Sequence, residues 1–487
     1  MDIISIALLV FYFSILVLLS LYGIHRYFIV YLFYKYYKNK RRIKAEAVEI
    51  EHFPTVTVQL PIYNEKYVVT RLIEAVGQLE YPRDRLNIQV LDDSTDQTQE
   101  ISLAAVHRLK EEGFSIQFMH RAIRKGYKAG ALQEGLSVSS ADLIAIFDAD
   151  FLPDPDFLLK VVPYFTDPQI SMVQTRWGYL NREYSLLTRI QALLLDGHFV
   201  LEHTARYFSG RFFNFNGTAG VWRRQAILDA GGWQGDTLTE DLDLSYRAQL
   251  AGAQFVFLPH VVCLSELPVT ITGFKQQQFR WAKGAIQVAR KLLPTLWKSS
   301  LPLSVKLEAT VHLTSNVCYV LLAVLSLLLP LSVFIRHSLT DWNMKWLELL
   351  VFIFTVLSIS IFYLVSQREL YPDWRWKLRD LPILFGLGIG ICLNNSRAVL
   401  DVIFARETPF ERTPKYGIKQ INDKWRNKLY GSNDGKYAIG EFFLLFYLLF
   451  FLILFVLNEF WLSLPFFLLF LIGYAFVCTL TLKQTVR

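Results

Sequence analysis

Long apolar runs constrain this chain more than any other feature of its sequence. The first run, Ile3–Ile24, has no charged side chain and no cleavage site of small residues, and it exceeds the apolar core of a signal peptide. As a helix it is long enough to cross roughly 30 Å of hydrocarbon. Further apolar runs follow at Ala309–Ile335, Leu349–Ser366, Leu381–Ser396, Phe442–Asn458 and Phe460–Leu482. We therefore expect a multi-pass membrane protein, with a transmembrane helix in 1–35 and a C-terminal transmembrane region in 305–487.

Basic residues predict the orientation of the chain in the membrane. They cluster directly after the first run: Arg26, Lys35, Lys38, Lys40, Arg41, Arg42 and Lys44. Because cytoplasmic loops carry the excess of Lys and Arg, the N-terminus is expected outside and the chain after residue 35 in the cytoplasm. The membrane is expected to be a cell membrane, either inner or plasma.

The run Leu381–Ser396 differs from the others because it is short, contains three glycines and has basic loops on both sides. A spanning helix here would leave one basic loop outside, which the positive-inside rule disfavours. We expect an interfacial or re-entrant segment over 381–403, which leaves four C-terminal spans and the C-terminus inside.

The composition supports a membrane protein and argues against other classes. Hydrophobic residues make up 53% and charged residues 19%, whereas soluble domains have about 45–50% apolar and about 25% charged residues. This balance excludes a disordered chain. The net charge of +7 is modest and concentrated beside the membrane, so we expect membrane lipid and no nucleic acid among the partners.

Residues 50–295 show the alternation of an α/β domain. Short β-branched runs predict strands at Thr55–Leu60, Asn87–Leu91, Ser115–His120 and Asp142–Phe147. Between them, amphipathic patterns predict helices at Lys66–Leu79, Thr98–Glu112 and Gly126–Leu136. This alternation indicates βαβ crossovers and a mostly parallel sheet.

Acidic residues follow the predicted strands, at the edge where such sheets bind ligands. Asp92 and Asp93 follow the second strand, and Asp148 and Asp150 follow the fourth. No GxGxxG or GxxxxGK[ST] pattern follows a strand, which argues against dinucleotide and P-loop sites. Aspartates also form turns at strand ends. Two clusters together favour a site for Mg²⁺ or Mn²⁺ and a diphosphate.

An ordered set of motifs carries a resemblance to a known family. The motifs are YNE at 63–65, DDSTD at 92–96, GYKAGAL at 126–132, FDADFLPDPDF at 147–157, FNGTAGVWR at 215–223, TED at 239–241 and QQFRW at 277–281. In this order they resemble the family 2 membrane glycosyltransferases of GT-A (Rossmann-like) fold, of the cellulose-synthase-like A and C types of plants and their bacterial relatives. The resemblance implies a cytoplasmic catalytic domain flanked by transmembrane helices.

The resemblance also implies roles on the donor side of the reaction. Asp150 would bind the metal and Asp148 the unit of nucleotide and metal, while Arg124 would neutralise phosphate or simply start a solvated helix. The remaining residues expected to bind the nucleotide sugar are Tyr63, Glu65, Asp93, Lys128, Gln277 and Arg280. A cation that bridges the phosphates stabilises the charge of the leaving group.

On the acceptor side, the resemblance makes Asp241 the base that takes the proton of the acceptor hydroxyl, with Glu240 beside it. One base and direct displacement invert the anomeric configuration. An alternative is that Thr239 only caps a helix over Glu240–Leu250, with acidic residues favoured by its dipole. The residues expected around the acceptor sugar are Phe215, Asn216, Gly217, Thr218 and Trp281.

Residues 404–420 contain a pattern similar to the FxVTxK gating loop of cellulose synthases. Phe410, Thr413 and Lys415 match that pattern, whereas Arg412 replaces its Val. A basic loop without this role is the alternative. A different pattern, His198 to His203, does not have the spacing of a zinc site, and packing or the lining of a substrate channel explains it better.

Three functions compete at this point. The leading one is a processive β-glycosyltransferase that exports the growing polymer, with UDP-glucose favoured over GDP-mannose as donor. The second is a membrane enzyme that adds one sugar to a lipid such as diacylglycerol or ceramide. The third is a transporter or inactive scaffold, against which Asp93, Asp150, Asp241 and Trp281 argue. Export partners are not indicated.

Overall fold

The computed structural model describes residues 3–38, 52–337, 345–406, 408, 410–426, 428 and 439–485. Helix α1 (Ile3–Leu32) begins the described chain, and a π-helix over Phe33–Lys38 continues it. The basic residues Lys40, Arg41, Arg42 and Lys44, which contributed to the expected orientation, lie outside the described residues.

A single mixed sheet forms the centre of the middle domain. Its strands are β1 (Val56–Ile62), β2 (Leu86–Asp92), β3 (Ser115–His120), β4 (Leu143–Ile146), β5 (Phe151–Leu152), β6 (Ile170–Tyr179), β7 (Gly220–Arg223) and β8 (Gln254–Ser265). They are ordered β3-β2-β1-β4-β7-β6-β8-β5. Strands β1 to β4 pair in parallel, with Val58 opposite both Ile88 and Ala145. Strand β7 is antiparallel to its neighbours β4 and β6.

The strand order places a ligand crevice at one edge of this sheet. From β1 the chain proceeds outward through β2 and β3, and then returns to place β4 on the other side of β1. Such a reversal opens a crevice at the carboxyl ends of the two central strands. All four residues of β4 are buried, as expected for a strand covered on both faces. The α/β fold predicted from the sequence is confirmed.

Helices α2 to α10 belong to the same domain. They are α2 (Val69–Gly77), α3 (Thr98–Glu111), α4 (Tyr127–Val138), α5 (Phe157–Val161), α6 (Leu186–Gly197), α7 (Thr204–Phe208), α8 (Arg224–Asp229), α9 (Glu240–Leu250) and α10 (Ile271–Lys298). A π-helix over His198–His203 joins α6 to α7. Three-residue and five-residue 3₁₀ segments lie at Arg83–Arg85, Val162–Thr166 and Arg182–Tyr184. The bounds of β3 and α9 agree with those expected from the sequence.

The C-terminal half is helical. Its helices are α11 (Leu303–Thr314), α12 (Val317–His337), α13 (Lys345–Leu370), α14 (Trp374–Lys377), α15 (Leu381–Gly390), α16 (Cys392–Ile403), α17 (Ile439–Leu457) and α18 (Leu464–Thr485), with a 3₁₀ turn at Leu378–Asp380. The long helix α10 packs against α11 and α16. It therefore joins the sheet domain to the C-terminal helices.

Five stretches of the described chain are long and apolar enough to cross a bilayer: Ile3–Tyr37, Val317–His337, Leu350–Leu370, Ile439–Leu457 and Leu464–Gln484. The shorter run expected to be interfacial or re-entrant forms a bent pair of helices, Trp374–Gly390 and Cys392–Ile403, with an angle of 40° between them. A bend of this size at a one-residue break is compatible with a re-entrant segment or a broken span.

Candidate active site

A cavity opens at the carboxyl ends of β1, β2 and β4, where the strand order reverses. Nearly all the site residues expected from the sequence line it: Tyr63, Glu65, Asp93, Arg124, Lys128, Asp148, Asp150, Asn216, Gly217, Glu240, Asp241, Gln277, Arg280, Trp281, Phe410, Thr413 and Lys415. These positions are spread over more than 350 residues of sequence. Their convergence is the main structural observation about this protein.

Two lysines neutralise the aspartates that follow β4. Lys128 Nζ lies 2.6 Å from Asp148 Oδ1, and Lys415 Nζ lies 2.6 Å from Asp150 Oδ2. Although burial favours the neutral amine, Asp148 and Glu240 hold the pKa of Lys128 above its usual value. Each of these two carboxylates thus has a lysine as its partner. They lie at the end of the cavity where a diphosphate and a divalent metal ion are expected to bind.

The side chains at this edge of the sheet supply too few ligands to hold a divalent ion by themselves. A bound substrate would have to supply the remaining ligands. Among the described residues, no three His, Cys, Asp or Glu side chains lie close enough together to hold a metal ion. Asp148 and Asp150 supply hard carboxylate oxygens, which suit Mg²⁺ and Mn²⁺. Such ions often use one or two carboxylates together with substrate phosphates. The two aspartates therefore fit an ion shared with a diphosphate.

The acidic first turn of α9 forms the opposite wall. Burial away from water and the neighbouring Glu240 raise the pKa of Asp241 to about 7, while Lys128 opposes the rise. The buried Asp241 carboxylate is therefore a stronger base than an exposed aspartate. The Thr239 side chain makes no capping hydrogen bond to α9, so the capping role considered from the sequence has no contact to support it.

Two arginines of the β3–α4 connection lie at the end of the cavity that is expected to bind the nucleotide. Arg121 donates to both oxygens of Asp93, from Nε at 2.7 Å and from Nη2 at 2.6 Å. The guanidinium of Arg124 lies over the ring of Tyr63, 3.4 Å from its centroid. Arg121 was not among the site residues expected from the sequence. Only the packing of strands β2 and β3 brings it to Asp93.

Described residues of the loop that resembles the FxVTxK pattern line the cavity. The ring of Phe410 stacks near that of Tyr127, with centroids 5.3 Å apart, and the guanidinium groups of Arg124 and Arg280 each lie 5.0 Å from its centroid. Arg412 Nη1 lies 2.9 Å from Glu65 Oε2. The residue that departs from the FxVTxK pattern therefore makes its own ion pair with the YNE motif.

Glu65 and Glu266 connect this loop to the sheet domain. Burial raises the pKa of Glu65 to about 8, against the opposing charge of Arg412. Glu266 accepts from the backbone N–H of Tyr416 at 2.9 Å and from Arg71 Nη2 at 2.7 Å. The sequence analysis did not identify Glu266, because it belongs to no recognisable motif and acquires its partners only in the tertiary structure.

Only two of the four residues of the loop before β7 that were expected around the acceptor sugar lie at the cavity surface. Asn216 and Gly217 line the cavity, whereas Phe215 and Thr218 are completely buried and lie outside its lining. Phe215 packs edge-on against Trp222 in the core. Thr218 Oγ1 accepts from the backbone N–H of Asp148 at 2.9 Å. Both residues therefore lie behind the cavity lining and not at its surface, where the expected contact with an acceptor sugar would require them.

Helix α10 presents Gln277, Arg280 and Trp281 to the cavity. Positions three and four apart lie on one face of a helix, which explains why this spacing recurs in the sequence motif. Gly217 approaches the acidic wall so closely that a Cβ there would lie 2.9 Å from Asp241 Oδ2. Its φ of 81° also requires glycine, since side-chain-bearing residues rarely adopt it.

Comparison with known families agrees with this geometry. Residues 54–284, from just before β1 into the middle of α10, match the profile of a family described as Glycosyltransferase like family 2. This segment is therefore similar to a family 2 glycosyltransferase domain. The glycosyltransferase domain includes the acidic clusters, the TED turn and the QxxRW helix face described above, so the GT-A fold expected from the sequence is confirmed.

Curated relatives of the glycosyltransferase domain are plant proteins. The chain is 45% identical over 259 residues to glucomannan 4-β-mannosyltransferase 1 of Oryza sativa subsp. japonica, covering 50% of this chain and 50% of the relative. It is 43% identical over 276 residues to glucomannan 4-β-mannosyltransferase 2 of Arabidopsis thaliana, covering 54% and 51%. The chain thus spans about half the length of the curated relatives it matches.

Solved structures resemble the protein more distantly. A mannosyltransferase from Pyrobaculum calidifontis in complex with GDP-mannose and Mn²⁺ is 18% identical and superposes with a TM-score of 0.48, covering 83% of this chain and 99% of the other. Residues 1–349 of S. aureus TarS with UDP-GlcNAc are 13% identical with a TM-score of 0.39, covering 73% and 94%. These superpositions are too loose to assign roles to individual residues.

Proposed function

We propose that this protein is an inverting β-mannosyltransferase that extends a polysaccharide from GDP-mannose. The observation that carries the proposal is the meeting of Asp148, Asp150, Lys128 and Asp241 in one cavity. The sequence alone favoured UDP-glucose as donor. The names of the plant relatives, which all contain 4-β-mannosyltransferase, move the proposal to GDP-mannose.

In the proposed reaction, an acceptor hydroxyl oxygen forms a bond to the anomeric carbon as the bond from that carbon to the diphosphate breaks. The hydroxyl proton passes to the carboxylate of Asp241, and the nucleoside diphosphate leaves with the electron pair. Attack opposite the leaving group converts an α-linked donor into a β-linkage. General base catalysis of this kind contributes about 10²- to 10⁴-fold to the rate.

Basic residues around the leaving group support its charge. Lys128 and Arg280 line the same cavity as the β4 aspartates, and a guanidinium meets phosphate oxygens through two parallel hydrogen bonds. A bound Mg²⁺ or Mn²⁺ at Asp148 and Asp150 would supply further stabilisation of the diphosphate. Trp281 offers a flat apolar platform for a sugar ring on the acceptor side.

We also propose that the product is a polymer that leaves through the apolar helices. The long helix α10 carries the QxxRW residues and packs on α11, α16 and α18. Because α18 is one of the helices long and apolar enough to span the membrane, this contact supports an exit path beside the acceptor side of the cavity. Transfer of a single sugar to a lipid remains the second candidate, because the same helices also give access to lipid. Product size distinguishes the two.

Purified full-length protein in detergent, given GDP-mannose or UDP-glucose with Mn²⁺, tests the proposal. We expect GDP release with GDP-mannose, a polymer with β-linked mannose, and loss of both after chelation with EDTA. Asp241→Asn should lower turnover by about 10²- to 10⁴-fold while donor affinity stays nearly unchanged. Release of UDP alone would overturn the donor assignment, a glycolipid product would favour the second candidate, and unchanged turnover in the variant would remove Asp241 from the mechanism.

A further inference from the structure

The π-helix over His198–His203 lies behind the acceptor side of the cavity. In a π-helix the hydrogen bonds connect residues five apart, and such segments occur frequently at functional sites. The segment begins and ends with histidine, so the wider turn places the two imidazoles side by side. Their ring centroids are 4.3 Å apart, at an angle of 64°. The π-helix therefore directs both histidine rings toward the loop that precedes β7.

Both histidines contact the loop that precedes β7. His203 Nε2 lies 3.0 Å from the carbonyl oxygen of Asn214, and since a carbonyl only accepts, this nitrogen carries the hydrogen. Burial lowers the pKa of His203 well below its ordinary value, so the ring is neutral. His198 Nε2 lies 3.0 Å from the side-chain Nδ2 of Asn216. The two rings thus hold Asn214 and Asn216 from the same side.

The contact between His198 and Asn216 fixes the tautomer of the histidine. Because an amide nitrogen donates, Nε2 of His198 must accept, and its hydrogen must lie on Nδ1. Nδ1 is 2.9 Å from Glu202 Oε2, which accepts that hydrogen. A partner on one ring nitrogen sets the state of the other in this way. Glu202, His198 and Asn216 therefore form a relay that fixes the orientation of the Asn216 amide.

Glu202 is held as an anion by residues of other elements. It pairs with Arg26 of α1 and lies 3.5 Å from Arg206 of α7, and Arg206 in turn donates to Glu308 of α11 at 3.0 Å. Burial opposes the ionisation of Glu202, yet Arg26, His198 and Arg206 bring its pKa well below the ordinary value. The Glu202 carboxylate is thus a stable anion that accepts the hydrogen bond from His198, and it lies next to the apolar helices.

The other end of the relay has an unused acceptor. Asn216 lines the cavity, and its Oδ1 is buried without a hydrogen-bond partner among the described residues. A buried acceptor left unpaired destabilises the folded state, so a native structure usually supplies a partner. A Cβ built on the adjacent Gly217 would lie 2.9 Å from Asp241 Oδ2, so this loop passes close to the proposed base. A sugar hydroxyl beside the base is well placed to donate to Asn216 Oδ1.

We propose that His198 and Glu202 are positioning residues for the acceptor: they orient the Asn216 amide so that its Oδ1 accepts a hydrogen bond from a hydroxyl of the acceptor sugar. The inference rests on the proposed transfer to a glycan. Neither residue touches the donor side of the cavity, where Asp148, Asp150 and Lys128 lie. Loss of the relay should therefore weaken the acceptor and leave the donor unaffected.

The test uses full-length protein in detergent, with GDP-mannose and short β-1,4-linked mannose oligosaccharides as acceptors. His198→Phe keeps a ring but removes the accepting nitrogen, and we expect its acceptor KM to rise about tenfold while its donor KM stays unchanged. His198→Gln has an accepting carbonyl and should recover much of the loss. His312→Gln is the matched control, because His312 is a buried histidine that contacts Tyr246 at 2.8 Å and not the Asn216 loop.

Acceptors lacking single hydroxyl groups provide a second readout. Removing the hydroxyl that meets Asn216 should raise the acceptor KM of the unaltered protein but add nothing further in His198→Phe. Additive penalties at every hydroxyl, or equal losses in His198→Phe and His312→Gln, would overturn this inference and assign His198 a purely structural role. No transfer by the unaltered protein to any acceptor would instead count against the proposed function itself.

Discussion

Burial decides what single carboxylates of this protein can do. Asp241 and Glu65 are both withdrawn from water, and both have pKa values raised to near or above neutrality. Their partners differ, since Glu65 faces Arg412 across 2.9 Å, whereas Asp241 shares its surroundings with another acid. Tuning by burial and neighbouring charge is how active sites obtain a base that works near pH 7.

A pH profile tests this assignment at the residue scale. Asp241 acts as a base only when it is deprotonated, so kcat should fall as the pH is lowered through about 7. Glu240 contributes to the raised pKa through its negative charge. Glu240→Gln should therefore move the acid limb of the profile to lower pH. A limb that stays in place in this variant would contradict the electrostatic explanation.

Glycines set the distance between two of the C-terminal helices. At Gly390 of α15, a Cβ would lie 2.4 Å from the carbonyl oxygen of Gly473 and 2.6 Å from Val477 Cγ2, both in α18. At Gly388, on the same helix, a Cβ would meet nothing within 4 Å. Small residues allow helix backbones in membranes to approach closely. The close contact between α15 and α18 thus requires a small residue on the face of α15 that contains Gly390, and not on the face that contains Gly388.

This pair of glycines gives a matched prediction at the scale of elements. Gly390→Val should force α15 away from α18, because overpacking typically costs about 1–3 kcal/mol. Gly388→Val should be close to neutral. Thermal unfolding of the two variants in detergent measures the difference. Equal melting temperatures for both would show that the close approach of α15 and α18 does not stabilise the protein.

At the scale of the whole molecule, both ends of the segment 381–403 contact the same domain. Before it, Asp380 accepts from Arg189 Nε at 2.8 Å. After it, the carbonyl oxygen of Arg406 accepts from Lys283 Nζ at 2.7 Å, and Lys415 reaches Asp150 in the cavity. A segment that leaves and rejoins one domain is expected to return to the side of the membrane from which it started. We therefore predict that residues 381–403 form a re-entrant segment and not a broken span.

Cysteine labelling with a membrane-impermeant maleimide tests this topology. Arg375→Cys and Glu411→Cys, on either side of the segment, should both react from the side of the glycosyltransferase domain. Asn458→Cys, in the exposed connection after α17, should react only from the opposite side. Labelling of Arg375→Cys and Glu411→Cys from different sides would mean that residues 381–403 span the membrane.

Local residue patterns were enough to predict many of the helices and strands and the chemistry of the motifs. Period and composition gave strands such as Ser115–His120 and the helix Glu240–Leu250, and motif order indicated the family and most cavity residues. Local patterns suffice here because strand alternation, the helix dipole and residues three to four apart act over short distances.

The contacts between distant residues, in contrast, became visible only in the folded chain. Arg121 on Asp93, Arg412 on Glu65 and the His198 relay to Asn216 join positions that no spacing relates. The burial of Phe215 behind the cavity, and the raised pKa of Asp241, likewise follow from the packing around them. Solvent exclusion and contacts between distant parts of the chain exist only in the folded state, so no local pattern encodes them.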